Sequence, residues 1–268
     1  MAEYHPRFLR LVEISAPLFA GEAEVCRSYF SWGKRTKETD RIWLARQCYK
    51  EFWGSGFVDP EHSLLSDWLG TVLKMLPKID TEVDRHEALD VLEGAHAEYH
   101  HYCLFADIWD SLRAPGEPKL NPRMLANWPE GEALDGYRQQ VRAQYKEGAL
   151  AWASLKFTEG GYCALYSEGA AIKGRGGLDD QIAKACRKVY DDEMGHVLNG
   201  IVAVNAHARE VEDWDLLEKL VIEQLRRRVV MRNGQFSNPL PQARIAEIYA
   251  GKIEPIRVDL DGIMAHAA

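Results

Sequence analysis

The sequence has almost no β-type alternation of apolar and polar residues, which excludes a sheet as its organising element. It has no uninterrupted apolar run near twenty residues, which excludes a membrane-spanning helix. Cysteine is scarce: five residues, at 26, 48, 103, 163 and 186, with no paired spacing. That pattern excludes a disulfide framework and a thiolate cluster for an iron–sulfur centre, and points to reduced thiols in a cytoplasmic protein. Positive charge is in deficit, with 33 Lys and Arg against 41 Asp and Glu and a net charge of −8. A duplex nucleic-acid surface, which needs a basic face to displace counterions, is therefore not expected. The one concentrated basic stretch, Arg226-Arg227-Arg228 with Arg232, reads as a solvated helix end, with docking of an anionic substrate or carrier as the sharper alternative. Met1-Ala2-Glu3-Tyr4-His5-Pro6 has no positive region leading into an apolar one, so no secretory signal is expected. No Gly/Ser or charged linker, fixed-period repeat or low-complexity segment divides the chain.

What the chain does have is helical periodicity. Apolar residues recur at steps of three and four through most of its 268 residues, and the reading is a single all-α domain over 1–268, with a core bundle at about 39–231 and a C-terminal extension at 232–268. Helices are expected at 7–33, 39–54, 60–76, 81–112, 134–172, 178–208 and 212–231, with a short apolar helix near 241–250. Pro60 suits a first turn, Pro77 a helix end, and Asp80-Thr81 a cap. Pro115, Pro118, Pro122 and Pro129 make 113–130 a surface connection, and Gly174 to Gly177 a tight turn. The tail wraps the bundle or a neighbouring subunit, and a homodimer is expected.

Two short stretches carry chemistry: Glu93-Gly94-Ala95-His96 and Glu193-Met194-Gly195-His196. In each Glu-x-x-His the carboxylate and imidazole stand one helical turn apart on the same face. Glu93, His96 and His100 fall on the stripe of Leu89, Leu92 and Leu104, so they are expected to point into the core. A carboxylate buried there without a partner would cost several kcal/mol, which a bound cation would remove. Glu193 and His196 share a face with Val189, Ile201 and Val204, and Asp192 competes with Glu193 as a ligand. Glu159 lies on an apolar helix face between the two pairs, followed at one and two turns by Tyr162 and Tyr166, whose phenols are expected near the site. Lys156 is placed to pair with Glu159. A second Glu-x-x-His frame, Glu98 and His101, is rotated by roughly 100° from the stripe and is expected to be exposed. Carboxylates with histidines suit iron or manganese better than structural zinc, although ligand type alone does not select the metal.

On Glu93-Gly-Ala-His96, Glu159 and Asp192-Glu193-Met-Gly-His196, the sequence resembles the ferritin-like di-iron carboxylate proteins over roughly 60–208. The resemblance implies a ferritin-like helix bundle with additional helices. It implies two iron ions, or a manganese–iron pair, bridged by Glu93 and Glu193 with His96 and His196 as terminal ligands and Glu159 as a lone carboxylate. Glu61, on the stripe of Leu65, Trp68, Leu69 and Val72, is taken as the first-helix carboxylate, with Glu51, aligned with Leu44 and Cys48, as the alternative. His100, Tyr162 and Tyr166 are candidates to support the ligands by hydrogen bonds. The chain is also similar to the haem-oxygenase-like di-iron oxidases, which would use Asp192 with His196. Either resemblance implies an oxygenase or oxidase that activates O₂ to oxidise a small organic substrate. Its electrons would come from a reductase or ferredoxin, since the chain has no flavin or nicotinamide fingerprint. A non-catalytic metal-storage bundle and an α-helical interaction module are the competing readings.

Overall fold

The computed structural model describes residues 4–54, 64–146 and 148–260, and among them the fold is all-α. The one β-type feature is an isolated bridge between Ile79 and Val83. Packing divides the chain into two compact units, one made of Met1–Arg35 with Pro129–Ala268 and the other of Thr36–Trp128.

With helices numbered along the whole chain, α1 is Pro6–Phe30, α2 Lys37–Trp53, α3 Leu64–Met75 and α4 Arg85–Ser111, and the last three form the central unit. Thr36 and Thr39 close a capping box at the start of α2. The expected cap at Asp80-Thr81 falls instead at Asp84, whose side chain accepts from the His86 amide. Trp43, Leu44 and Cys48 of α2 are buried, and Trp43 meets Phe105 of α4 edge-on with centroids 6.2 Å apart. Trp68 of α3 lies so close to Gly94 that an added Cβ would come within 2.7 Å of its ring, so the crossing of α3 and α4 requires a glycine there. Pro60 and Glu61 lie outside the described residues.

The other unit comprises α1 and the later helices: α5 Pro129–Gln144, α6 Ala149–Phe157, α7 Ala164–Ala170, α8 Gly177–His207, α9 Val211–Gln235 and α10 Gln242–Tyr249. Arg7 pairs with Asp215, Arg10 with Glu218 and Glu22 with Arg228, so the partners climb together and α1 runs parallel to α9. Phe8, Leu11, Phe19, Val25 and Tyr29 of α1 are buried to within 1%. Each such apolar side chain contributes about 1.5–3 kcal/mol relative to exposure.

The helix expected over 134–172 is three helices. It breaks at Tyr145–Gly148 and again where Gly160, Gly161, Tyr162 and Cys163 take φ of 63, 56, 58 and 53° in succession. The turn packs directly over the buried Glu22–Arg228 pair: an added Cβ on Gly161 would lie 2.1 Å from Glu22 Oε2, so only glycine fits there. Arg228 and Arg232 correct the solvated reading of the basic stretch, since both are buried and both grip Glu22.

Candidate metal sites

In the central unit, one oxygen or nitrogen each of Glu51, Glu98 and His101 lie within 4.8 Å of one another. Glu51 is in the last turn of α2, one turn after Cys48, while Glu98 and His101 occupy one face of α4. His101 Nδ1 stands 4.0 Å from Glu51 Oε2, and the Gln47 amide donates to the other oxygen, Oε1. His101 is fully buried, Glu51 is 5% exposed and Glu98 half-buried. Phe52 and Tyr102, edge to face at 5.1 Å, stand beside Glu51 and His101 in sequence. The Cys48 thiol is held protonated chiefly by burial, with the Glu51 charge adding to the effect, and burial pushes the Tyr102 phenol up to about 12.

This arrangement corrects the choice of frame on α4. Glu93 and His96 are exposed, His100 is half-buried, and Leu89 and Leu92 are 47% and 44% exposed, so the stripe expected to face the core faces out. The His96 and His100 rings lie tilted to one another with centroids 6.0 Å apart, and neither belongs to the group of Glu51, Glu98 and His101. Glu98 and His101, expected outside, are inside. The buried face carries Ala88, Ala95, Tyr102 and Phe105, with the two rings against Phe52 and Trp43 of α2. Asp67 of α3 is exposed, and Glu51 is the carboxylate that reaches the α4 pair.

In the other unit, Glu193 and His196 sit one turn apart on α8, with His196 Nδ1 3.7 Å from Glu193 Oε2. Val189, Ile201 and Val204 of α8 are buried as expected, but Glu193 is only half-buried and the His196 side chain is 66% exposed. The Glu193 hydrogen bond raises the His196 pKa, burial opposes this, and the charges of Glu193 and then Glu159 add to the rise. Glu159 thus acts on this pair electrostatically, from a single 3-10 turn after α6 rather than from a helix face. Lys156 Nζ donates to Glu159 Oε2 at 2.7 Å, the expected pairing. Gly200 sets the approach of α6 to α8, since a Cβ there would lie 2.6 Å from the Lys156 carbonyl oxygen. Asp192 is engaged by Lys188.

The Tyr162 hydroxyl is engaged away from these carboxylates. It accepts from the Asp259 amide at 3.1 Å and donates to the Arg257 carbonyl at 3.5 Å, so the phenol points to the C-terminal segment. Tyr166 lies near Arg232, whose charge it influences. Glu168 is bound by Arg27 through two hydrogen bonds, of 2.6 and 3.1 Å. The Cys163 thiol is pushed up to about 12, mainly by burial and further by Glu193.

No family model, curated protein or solved structure matches the chain. The donor chemistry therefore stands on its own geometry. Among the described residues Glu51, Glu98 and His101 are the group of three such donors brought within 4.8 Å of one another, whereas in the other unit Glu193 and His196 pair and Glu159 acts on them through its charge.

Proposed function

We propose that the chain is a non-haem iron oxidoreductase that uses two iron ions and O₂ to oxidise a small organic substrate. The observation that carries the reading is the Glu51–Glu98–His101 group, in which Glu51 and His101 are buried and Glu98 is half-buried. A buried carboxylate beside a second carboxylate and a buried imidazole is eased by a cation, and hard oxygen donors with one imidazole suit iron or manganese. Glu51, Glu98 and His101 would hold metal in the central unit, and Glu159, Glu193 and His196 are the donors offered by the other. Iron so bound supplies the redox chemistry toward O₂.

The protein's own part is positional. The Gln47 amide orients Glu51 through one oxygen and leaves the other directed at His101. The protonated Cys48 keeps a competing thiolate out of the set. Lys156 neutralises Glu159 and must release it before that carboxylate ligates. Electrons come from a separate donor, a reductase or ferredoxin.

Metal analysis with O₂ consumption tests the reading. The intact chain is expected to bind two irons and to consume O₂ when supplied with reductant. Glu51→Ala and Glu193→Ala should each lower the iron content and abolish consumption. Full iron in both variants would sink the proposal, and bound iron inert to O₂ would identify a storage or structural metal protein instead.

A further inference from the structure

A cleft of about 630 Å³ opens on the surface of the unit that contains α1, α5 and α9, between the start of α1 and the middle of α9. Its walls carry charges of both signs, but the two signs are not equally free. Asp215 is taken up by Arg7, and Glu218 faces Arg10 at 3.6 Å. Glu223 is held at 2.8 Å by Arg227, which is not part of the lining. Lys219 and Arg226 remain, both exposed, and among the described residues neither has a carboxylate partner. Arg226 stands with its guanidinium 5.6 Å from the Tyr249 ring centroid, a contact that leaves its charge unneutralised.

Positions 219 and 226 are two helical turns apart on one face of α9, which separates their backbones by about 10 Å along the axis. Ile222 lies between them on the cleft wall, and Tyr137 of α5 contributes an aromatic face. The result is two free cations flanking an apolar strip, in a chain whose net charge is −8. The overall charge does not account for this local sign.

We propose that this cleft binds an elongated organic dianion, with one anionic group at Lys219, the other at Arg226, and an apolar middle on Ile222 and Tyr137. Carboxylate and phosphate both meet that description, and Arg226 favours either through its planar fork of donors. No member of either metal-ligand set lines the cleft, so binding to the metal-free chain is tested separately from the proposed iron chemistry.

Isothermal titration of the metal-free full-length chain with suberate, hexane bisphosphate and octanoate tests the inference. Both two-headed anions should bind at least about tenfold more tightly than the monoanion, and their relative salt dependence separates a preference for the phosphate head group from its higher charge. Lys219→Gln and Arg226→Gln should each reduce suberate binding to the level of octanoate, while Lys252→Gln, outside the cleft, should leave it unchanged. Equal affinity for octanoate and suberate, absence of suberate binding, or suberate binding unaltered by Lys219→Gln would overturn the proposal. Lys219 is an exposed side chain without a partner, so that variant reads binding even if Arg226→Gln disturbs the fold.

Discussion

His101 Nδ1 lies 4.0 Å from Glu51 Oε2, with the histidine fully buried and the carboxylate nearly so. That pair joins the last turn of α2 to the middle of α4, and it selects one of two overlapping Glu-x-x-His frames on the same helix. His101→Ala should weaken iron binding by at least about tenfold, whereas His96→Ala, on the exposed side of α4, should leave it unchanged. Metal titration of the two variants checks this, and loss confined to His96→Ala would restore the other frame.

Glu22 is 1% exposed and answers both Arg228 and Arg232, each buried. Glu22→Ala leaves two buried guanidiniums without their shared carboxylate and should cost about 3–5 kcal/mol. Glu82→Ala, which breaks an exposed pair with Lys78, should cost no more than about 1 kcal/mol. Urea unfolding of both variants gives the comparison, and similar midpoints would show that the buried triad contributes little.

The Asp84 carboxylate caps α4 and is held below its ordinary pKa of 3.8, first by the His86 amide. A depressed acid stabilises the fold above its unfolded pKa and loses that contribution as pH falls through its folded value. The capping contribution should therefore be complete above about pH 4 and disappear on further acidification. NMR titration of the carboxyl carbon should give a midpoint under 3.8, and Asp84→Asn should remove the corresponding pH dependence of α4 amide protection.

Tyr162→Phe removes the hydroxyl that ties down Arg257 and Asp259. Faster amide exchange across 253–260 and faster tryptic cleavage after Arg257 are expected, with a stability loss of about 1 kcal/mol. Iron content should not change, because the phenol is directed at the tail and not at Glu159. A loss of iron without any change in the tail would reverse that assignment.

Helical periodicity by itself determined the all-α class, and the main helices and the 171–176 turn fall where local pattern places them, because backbone hydrogen bonding within a helix needs only local sequence. The residue types of the candidate site were legible too: both Glu-x-x-His motifs, Glu159, the Lys156 pairing and Glu51 as an alternative. The roll of α4 was not. Glu93 and Glu98 are five residues apart, about 140° around the helix, and both frames satisfy the spacing. Large Leu89 and Leu92 suggested one face as the core, but α3 sets Trp68 over the small Gly94, and it is Ala95, His101, Tyr102 and Phe105 that are buried, with Glu98 half-buried beside them. The stripe Ala95, Glu98, Tyr102 and Phe105 was the available signal for that face. Likewise, Gly160-Gly161 weaken a helix locally without showing what they pack against; that is the buried Glu22–Arg228 pair, more than two hundred residues apart in sequence, which leaves no room for a side chain at Gly161. Sequence alone set which segments are helical and which donors exist, while tertiary packing decided which donors meet, since only neighbouring side-chain volumes fix the rotation of a helix about its axis.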